Sequence, residues 1–284
     1  MQLYNIQKLC WDSNPDIKVW DRVDLILHIF ANHATTAESK LQIALARMRH
    51  MGPRIYGLGT SFSQQAGGIG TRGLGETNVE LMKRHWRDEI KKVRDKLKEL
   101  EKNRNRQVQR RHNLGLPTVS IIGYTNAGKT SLFNLLTEKG KLAKNVLFAT
   151  LDSSVAKLYN PTNQKTILVS DTIGFIKNLP PELIDAFRST LMESIHADLL
   201  LHVVDAADPQ MEDKIKVVEK IIHDLGIGKK PIFYVFNKID QLVDFGANEL
   251  IEKYSQYSPF FVSVQSGAGI KELYYAIQDK LTLP

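Results

Sequence analysis

Five short apolar runs recur along the second half of the chain, at Thr118–Ile122, Thr166–Ser170, Leu199–Val204, Ile232–Phe236 and Phe260–Val264. Each is nearly continuous in its hydrophobicity and too short for an ordinary helix, the pattern of a strand buried on both faces. Segments of helical character lie between most of them. This alternation predicts an α/β domain, a doubly wound and mostly parallel sheet, from about Pro117 to the C-terminus. Ligands of such sheets bind beyond the carboxyl ends of the strands.

The first 112 residues read differently. A short apolar run at Val23–Phe30 is followed by Leu41, Ala44, Leu45 and Met48, whose spacing of three and four predicts a helix. Residues 56–76 hold seven glycines and no periodicity, which predicts a long loop. Next come Met82, Trp86, Ile90, Val93, Leu97 and Leu100, a near-heptad seam on a helix over 77–112 that needs a partner. The preceding helix is the candidate, giving a helical hairpin with the Gly-rich loop at its tip. Core packing explains the seam more simply than oligomerisation. The stretch His112–Pro117 ends the helix and marks a boundary. The expected organisation is a smaller N-terminal domain over 1–112 and the α/β domain over 117–284.

Composition adds limits. With 284 residues, 43% hydrophobic and 24% charged, the chain has material for one or two domains with an ordinary core. A single cysteine, Cys10, forms no internal disulfide and fits a reducing cytosol. The N-terminus lacks the basic start and apolar run of a signal peptide, and the apolar stretches are too short to span a bilayer. A soluble, cytoplasmic protein without stable membrane insertion is expected.

Charge changes the picture more. Thirteen basic and six acidic side chains lie between Thr77 and His112, so the net charge of +7 resides wholly in that segment. A localised basic stripe is the footprint of a polyanion such as RNA. A solvated helix face accounts for it equally well.

The candidate chemistry follows the strands. Gly123, Tyr124, Thr125, Asn126, Ala127, Gly128, Lys129 and Thr130 fit the G-x-x-x-x-G-K-[ST] loop, directly after a strand and before a helix. Backbone N–H groups there converge on phosphate oxygens at a helix N-terminus. Lys129 is expected at the β- and γ-phosphates, and the Thr130 hydroxyl on Mg²⁺. Asn237, Lys238, Ile239 and Asp240 follow a later strand. A carboxylate there accepts from guanine N1–H and its 2-amino group, a donor pair adenine lacks. The Asn amide meets N7 and O6, and the Lys stem covers the base. Together the two motifs name GTP.

Between them lie Asp171, Thr172, Ile173 and Gly174 after the strand Thr166–Ser170. Asp171 is expected to hold Mg²⁺ through water, and the Gly174 N–H to contact the γ-phosphate. Thr150, within Phe148, Ala149, Thr150, Leu151 and Asp152, is placed to close over the metal in the triphosphate state. Ser263, Val264 and Gln265 follow the last strand and offer backbone N–H groups to guanine O6. The predicted catalytic groups are Lys129, Thr150 and Gly174, and the metal ligands Thr130 and Thr150. Phe175 occupies the place after Asp-x-x-Gly where many GTPases carry a water-orienting Gln, so slow turnover alone and stimulation by a partner are expected.

GYTNAGKT, LFATLD, DTIGFI, AFRSTL, LLLHVVDAADP and NKID resemble the motifs of the HflX family of translation-associated GTPases. DRVDLILHIFANHA, KLQIALA and GGIGTRGLGE are similar to that family's N-terminal part. The resemblance implies GTP hydrolysis, association with the large ribosomal subunit and its RNA rather than DNA, and rescue or splitting of stalled or idle ribosomes. It implies a monomer away from the ribosome. Asn126 stands where several bacterial GTPases help to hold K⁺. The rival readings are a GTPase of tRNA modification or signalling, and a GTP-binding scaffold with little turnover. Three departures stand out: little sequence precedes Asp21, the chain stops at the end of the GTPase domain, and Ser263-Val264-Gln265 replaces the usual SAK.

Overall fold

The structure, a computed structural model, describes residues 2–65, 74–137, 154–158, 166–177, 191–242, 247–257 and 259–282. These residues divide into two compact units, and the division falls inside a helix, after Leu100.

The first unit is helical, with α1 (Gln2–Ser13), α2 (Arg22–His33), α3 (Ala37–Gln65) and the start of α4 (Leu74–Asn113). A capping box starts α2: Asp21 Oδ1 accepts from Asp24 N at 2.8 Å, and Asp24 Oδ2 accepts from Asp21 N at 3.3 Å. Its apolar run Val23–Phe30 buries Ile26, Leu27 and Phe30, one helical face, while α3 buries Ile43, Leu45 and Ala46. The Trp86 indole N–H donates to the Met48 carbonyl at 3.2 Å, and Leu97 is buried, so two members of the α4 seam are enclosed or tied to α3.

The expected loop over 56–76 is corrected at 56–65 and 74–76, which are helical. Helix α3 continues to Gln65 and α4 begins at Leu74, while 66–73 lie outside the described residues. Each glycine inside a helix costs only about 1 kcal/mol relative to alanine, and propagation from a long formed helix is far easier than nucleation. Among the described residues no helix is long and apolar enough to cross a membrane.

The second unit holds the sheet. Its elements are β1 (Thr118–Gly123), α5 (Lys129–Thr137), β2 (Ser154–Lys157), β3 (Leu168–Asp171), α6 (Met192–His196), β4 (Leu199–Asp205), α7 (Met211–Asp224), β5 (Ile232–Asn237), α8 (Ala247–Tyr254), β6 (Phe260–Phe261) and α9 (Ile270–Thr282). The strand order is β2-β3-β1-β4-β5-β6, parallel throughout except for the antiparallel β2. Strand β4 shows why both faces are covered. Leu199, Leu201 and Val203 enter a core with Leu132 and Phe133 of α5 and Leu273 and Ile277 of α9. Val204 joins Ile215, Tyr234, Phe236 and Tyr254 on the other side. Alternate residues thus bury against helices on opposite faces, the doubly wound arrangement.

Two details differ from expectation. The last strand pairs only at Phe260–Phe261, because Ser263 turns the chain: its N–H reaches the Ala268 carbonyl at 3.0 Å and its hydroxyl accepts from Ser266 N at 3.1 Å. Strand β2, an edge strand of four residues, carries no apolar run to announce it.

Candidate nucleotide site

Strand β1 is fully buried and flanked by β3 and β4, so the chain crosses over in opposite directions on its two sides. The crevice beyond its carboxyl end is therefore the topological switch point, and residues 123–130 lie there. Helix α5 begins at Lys129, which puts the helix N-terminus at the loop.

Close approach at the site depends on Gly128 in the loop and Gly174 in the Asp-x-x-Gly segment. Gly128 has φ +96°, and a Cβ on it would strike the Asn237 side-chain amide. A Cβ on Gly174 would lie 2.9 Å from both Lys129 Nζ and Thr125 Cα. Asn126 (φ 65°) and Lys238 (φ 68°) are the non-glycine residues with positive φ among the described residues, one in each motif. Such backbone is costly for a non-glycine residue and gathers at functional sites.

Lys129 is 6% exposed, and its ammonium donates to the Tyr124 carbonyl at 2.7 Å. Burial pushes its pKa down to about 8, with the nearby Asp171 charge opposing the shift. The Thr130 hydroxyl donates to Asp171 Oδ2 at 3.0 Å, and Asp171 is fully buried at the end of β3. Thr172 secures that strand end through its hydroxyl to the Ile121 carbonyl at 2.6 Å, and Ile173 is buried beside it. Phe175 forms a bridge to Tyr124: its carbonyl accepts from Thr125 N at 2.8 Å and its N–H reaches the Gly123 carbonyl at 3.0 Å. The Asp-x-x-Gly segment therefore lies laced to the Gly123–Thr130 loop.

Asn237 joins the second motif to the first. Its Nδ2 donates to the Ala127 carbonyl at 2.9 Å, and its Oδ1 accepts from Val264 N at 3.1 Å. One amide hydrogen remains for a base. Lys238 is anchored by Asp205 Oδ2 at 2.6 Å. Asp240 stands exposed on the short turn after β5, with Ile239 N near the Val262 carbonyl at 3.4 Å. Ser263 is buried, Val264 half-buried and Gln265 exposed. Phe148, Ala149, Thr150, Leu151 and Asp152 lie outside the described residues.

Sequence reasoning missed two members of this neighbourhood. Asp205, at the carboxyl end of β4, holds Lys238 and caps Ala207 N at 3.2 Å. His202 is 1% exposed, its ring centroid 4.8 Å from that of Tyr234. Burial first, and Lys129 second, push its pKa down to about 3, so it is neutral. The signal for Asp205 was a carboxylate closing an apolar strand; a histidine inside that strand carried none.

A glycine-rich loop between a strand and a helix at the switch point, with Lys, Thr and Asp side chains gathered beneath it, defines a P-loop nucleotide-binding domain. Residues 118–238 match the family model described as 50S ribosome-binding GTPase, and residues 33–111 match GTP-binding GTPase Middle Region. The chain is 46% identical to GTPase HflX of Caldanaerobacter subterraneus subsp. tengcongensis, over 93% of this chain and 60% of that protein. It is 40% identical to GTPase HflX of Escherichia coli, over 98% of this chain and 64% of that protein. Among solved structures, a GTP-binding protein of Sulfolobus solfataricus in complex with GDP matches at 26% identity and a TM-score of 0.57, over 93% of this chain and 73% of that one. The chain belongs to the HflX family of GTPases, and it spans about 60% of the length of these curated relatives.

Proposed function

We propose that this chain binds and hydrolyses GTP at the crevice beyond β1, β3 and β5, and that it does so on the large ribosomal subunit, in rescue or splitting of stalled or idle ribosomes in the cytoplasm. The observation that carries the GTP reading is the tie between the two motifs. Asn237 fastens the Gly123–Thr130 loop to the Asn237–Asp240 segment, so one ligand spanning both meets phosphate donors at one end and the Asp240 carboxylate at the other.

The residues divide the work. Lys129, at the start of α5, would neutralise phosphate charge, with backbone N–H groups of 125–130 beside it. The Gly174 N–H would meet the γ-phosphate. Asp240 would select guanine, and Gln265 would offer a backbone donor, the N–H groups of Ser263 and Val264 being taken by the Ala268 carbonyl and Asn237 Oδ1. Thr130 and Asp171 present hard oxygen donors beside the helix N-terminus, which fits Mg²⁺, with Thr150 as a further ligand in the triphosphate state. Mg²⁺, when bound, supplies charge neutralisation across the phosphates. Asn126, in its left-handed conformation, is the candidate contact for K⁺, and equal turnover in potassium and sodium buffers would remove that role.

Ribosome association rests on the family and on charge. Along α4, Arg84, Arg87, Lys91, Arg94, Lys98, Lys102, Arg106 and Arg110 are exposed, a basic surface suited to ribosomal RNA. Phe175, buried and apolar, cannot orient water, so a partner would complete catalysis. The test is phosphate release by the chain alone, with purified large subunits and with free ribosomal RNA. Large subunits should raise turnover at least about tenfold, roughly 1.4 kcal/mol of barrier. Fast turnover alone, or equal stimulation by bare RNA, would overturn the partner reading.

A further inference from the structure

Tyr124, the second residue of the phosphate-binding loop, is joined to more of its surroundings than that position requires. Its carbonyl accepts from Lys129 Nζ at 2.7 Å, and its backbone bridges Phe175. Its phenol oxygen accepts from Lys177 N at 3.0 Å, three residues past Gly174. On the other side of the ring, the Lys214 ammonium of α7 lies 5.0 Å from the ring centroid, within cation–π range, and is itself paired with Asp208. Met211 and Ile215 of α7 line the same small cavity as the ring.

The side chain thus transmits the position of a rigid helix to a loop. Helix α7 is packed into the sheet through Ile215, Val218 and Ile222, all buried. Lys214 and Asp208 hold the tyrosine ring against it, and the ring's hydroxyl holds the chain at Lys177. The backbone pairing at Phe175 secures the middle of the same segment. Gly174 sits beside these two ties, its Cβ direction 2.9 Å from Lys129 Nζ. A segment with no Gln after its glycine relies on backbone placement, and a one-ångström error there is costly in rate.

We propose that Tyr124 is a positioning residue for hydrolysis: its hydroxyl tethers residues 175–177 so that Gly174 and Lys129 face the γ-phosphate together. The proposal rests on the GTPase reading above and deepens it. The tether acts through Gly174 and contributes little to ground-state binding, since the phenol faces the protein chain.

The test uses the full chain and Tyr124→Phe, which removes one oxygen and leaves the ring, the backbone and Lys214 in place. Two quantities are read: amide exchange over 175–177 without nucleotide, and single-turnover GTP hydrolysis against GTP affinity. Exchange should quicken about fivefold, the worth of one ordinary hydrogen bond. The hydrolysis rate should fall by a similar factor, with GTP affinity within about twofold of the parent. Unchanged exchange would show that the tether does not hold the segment. Faster exchange with an unchanged hydrolysis rate would overturn the positioning role. A loss confined to affinity would reduce Tyr124 to a binding residue and overturn it too. Absence of GTP turnover in the parent chain would remove the GTPase reading itself, and the proposal with it, while the exchange measurement would still report on the tether.

Discussion

Asn237 Nδ2 lies 2.9 Å from the Ala127 carbonyl, a hydrogen bond between residues 110 positions apart that closes the Gly123–Thr130 loop onto the Asn237–Asp240 motif. The same amide accepts from Val264 N, and Asn237 is 3% exposed. Replacing it with Ala strands a buried carbonyl and a part-buried N–H. Each group left unsatisfied costs about 1–3 kcal/mol, so Asn237→Ala should lose about 2–4 kcal/mol in urea unfolding and weaken GDP binding. A variant as stable as the parent would show that the tie is not made in solution.

Asp240 is exposed and unencumbered by the fold, so its substitution tests recognition rather than stability. Asp240→Asn should shift preference from GTP toward xanthosine triphosphate, because the new amide pairs with the second xanthine carbonyl. The charged acceptor that is removed is worth roughly 1.5–3 kcal/mol of GTP affinity. Competition binding with the two nucleotides decides; unchanged GTP affinity would refute the base assignment.

The arginines at the end of α4 separate into two kinds. Arg111 Nη2 pairs with Glu193 Oε1 at 2.8 Å and Arg104 Nε lies 3.9 Å from the same oxygen, while Glu193 is only 4% exposed. Arg106 and Arg110 are exposed. Arg111→Gln should destabilise the fold by about 2–3 kcal/mol, since it leaves the buried Glu193 carboxylate with only the longer Arg104 contact. Arg106→Gln with Arg110→Gln should leave stability alone and flatten the salt dependence of ribosome or RNA binding. The log–log slope should fall by somewhat less than about one unit for each phosphate that is no longer neutralised. Thermal unfolding and binding across a salt series read the two effects separately.

Lys129 should make nucleotide binding depend on pH. Burial lowers its pKa to about 8, whereas an unfolded lysine ionises near about 10.4. The unfolded chain therefore binds more protons between those values, so the stability cost of burying this charge is present below pH 8 and is relieved as pH rises toward 10. A phosphate ligand needs the charged form and reverses the preference. GDP affinity should fall above pH 8, by up to about tenfold per pH unit, and Lys129→Met should bind weakly without that dependence. Calorimetry from pH 7 to 9.5 measures it, and a flat profile in the parent would remove the lysine from phosphate binding.

Much of the second unit was legible because its signals are local. Parallel strands buried on both faces read as apolar runs, and four of the five expected runs became strands nearly in place: β1, β3, β4 and β5. Only Phe260–Phe261 of the fifth run pairs, because Ser263 spends its N–H and hydroxyl on a turn. The edge strand β2 was invisible, since an edge strand needs no continuous apolar run. Gly57, Gly59 and Gly75 misled through propensity: a breaker on average, glycine is tolerated inside a helix already propagating.

What the sequence determined by itself was the kind of site, because strand–loop–helix spacing and the residue types at Gly123–Thr130, Asp171–Gly174 and Asn237–Asp240 dictate which groups can meet phosphate and base. Tertiary structure alone decided which of those groups are already spent. The Asn237 amide ties Ala127 to Val264, Lys238 is held by Asp205, two of the four arginines ending the basic stripe pair with Glu193, and Tyr124 reaches from α7 to Lys177. The reason is distance along the chain: the bonded residues lie 27 positions apart at the nearest, in the Asn237–Val264 pair. Periodicity and local spacing carry no information about such pairs until the sheet has set the strand ends side by side.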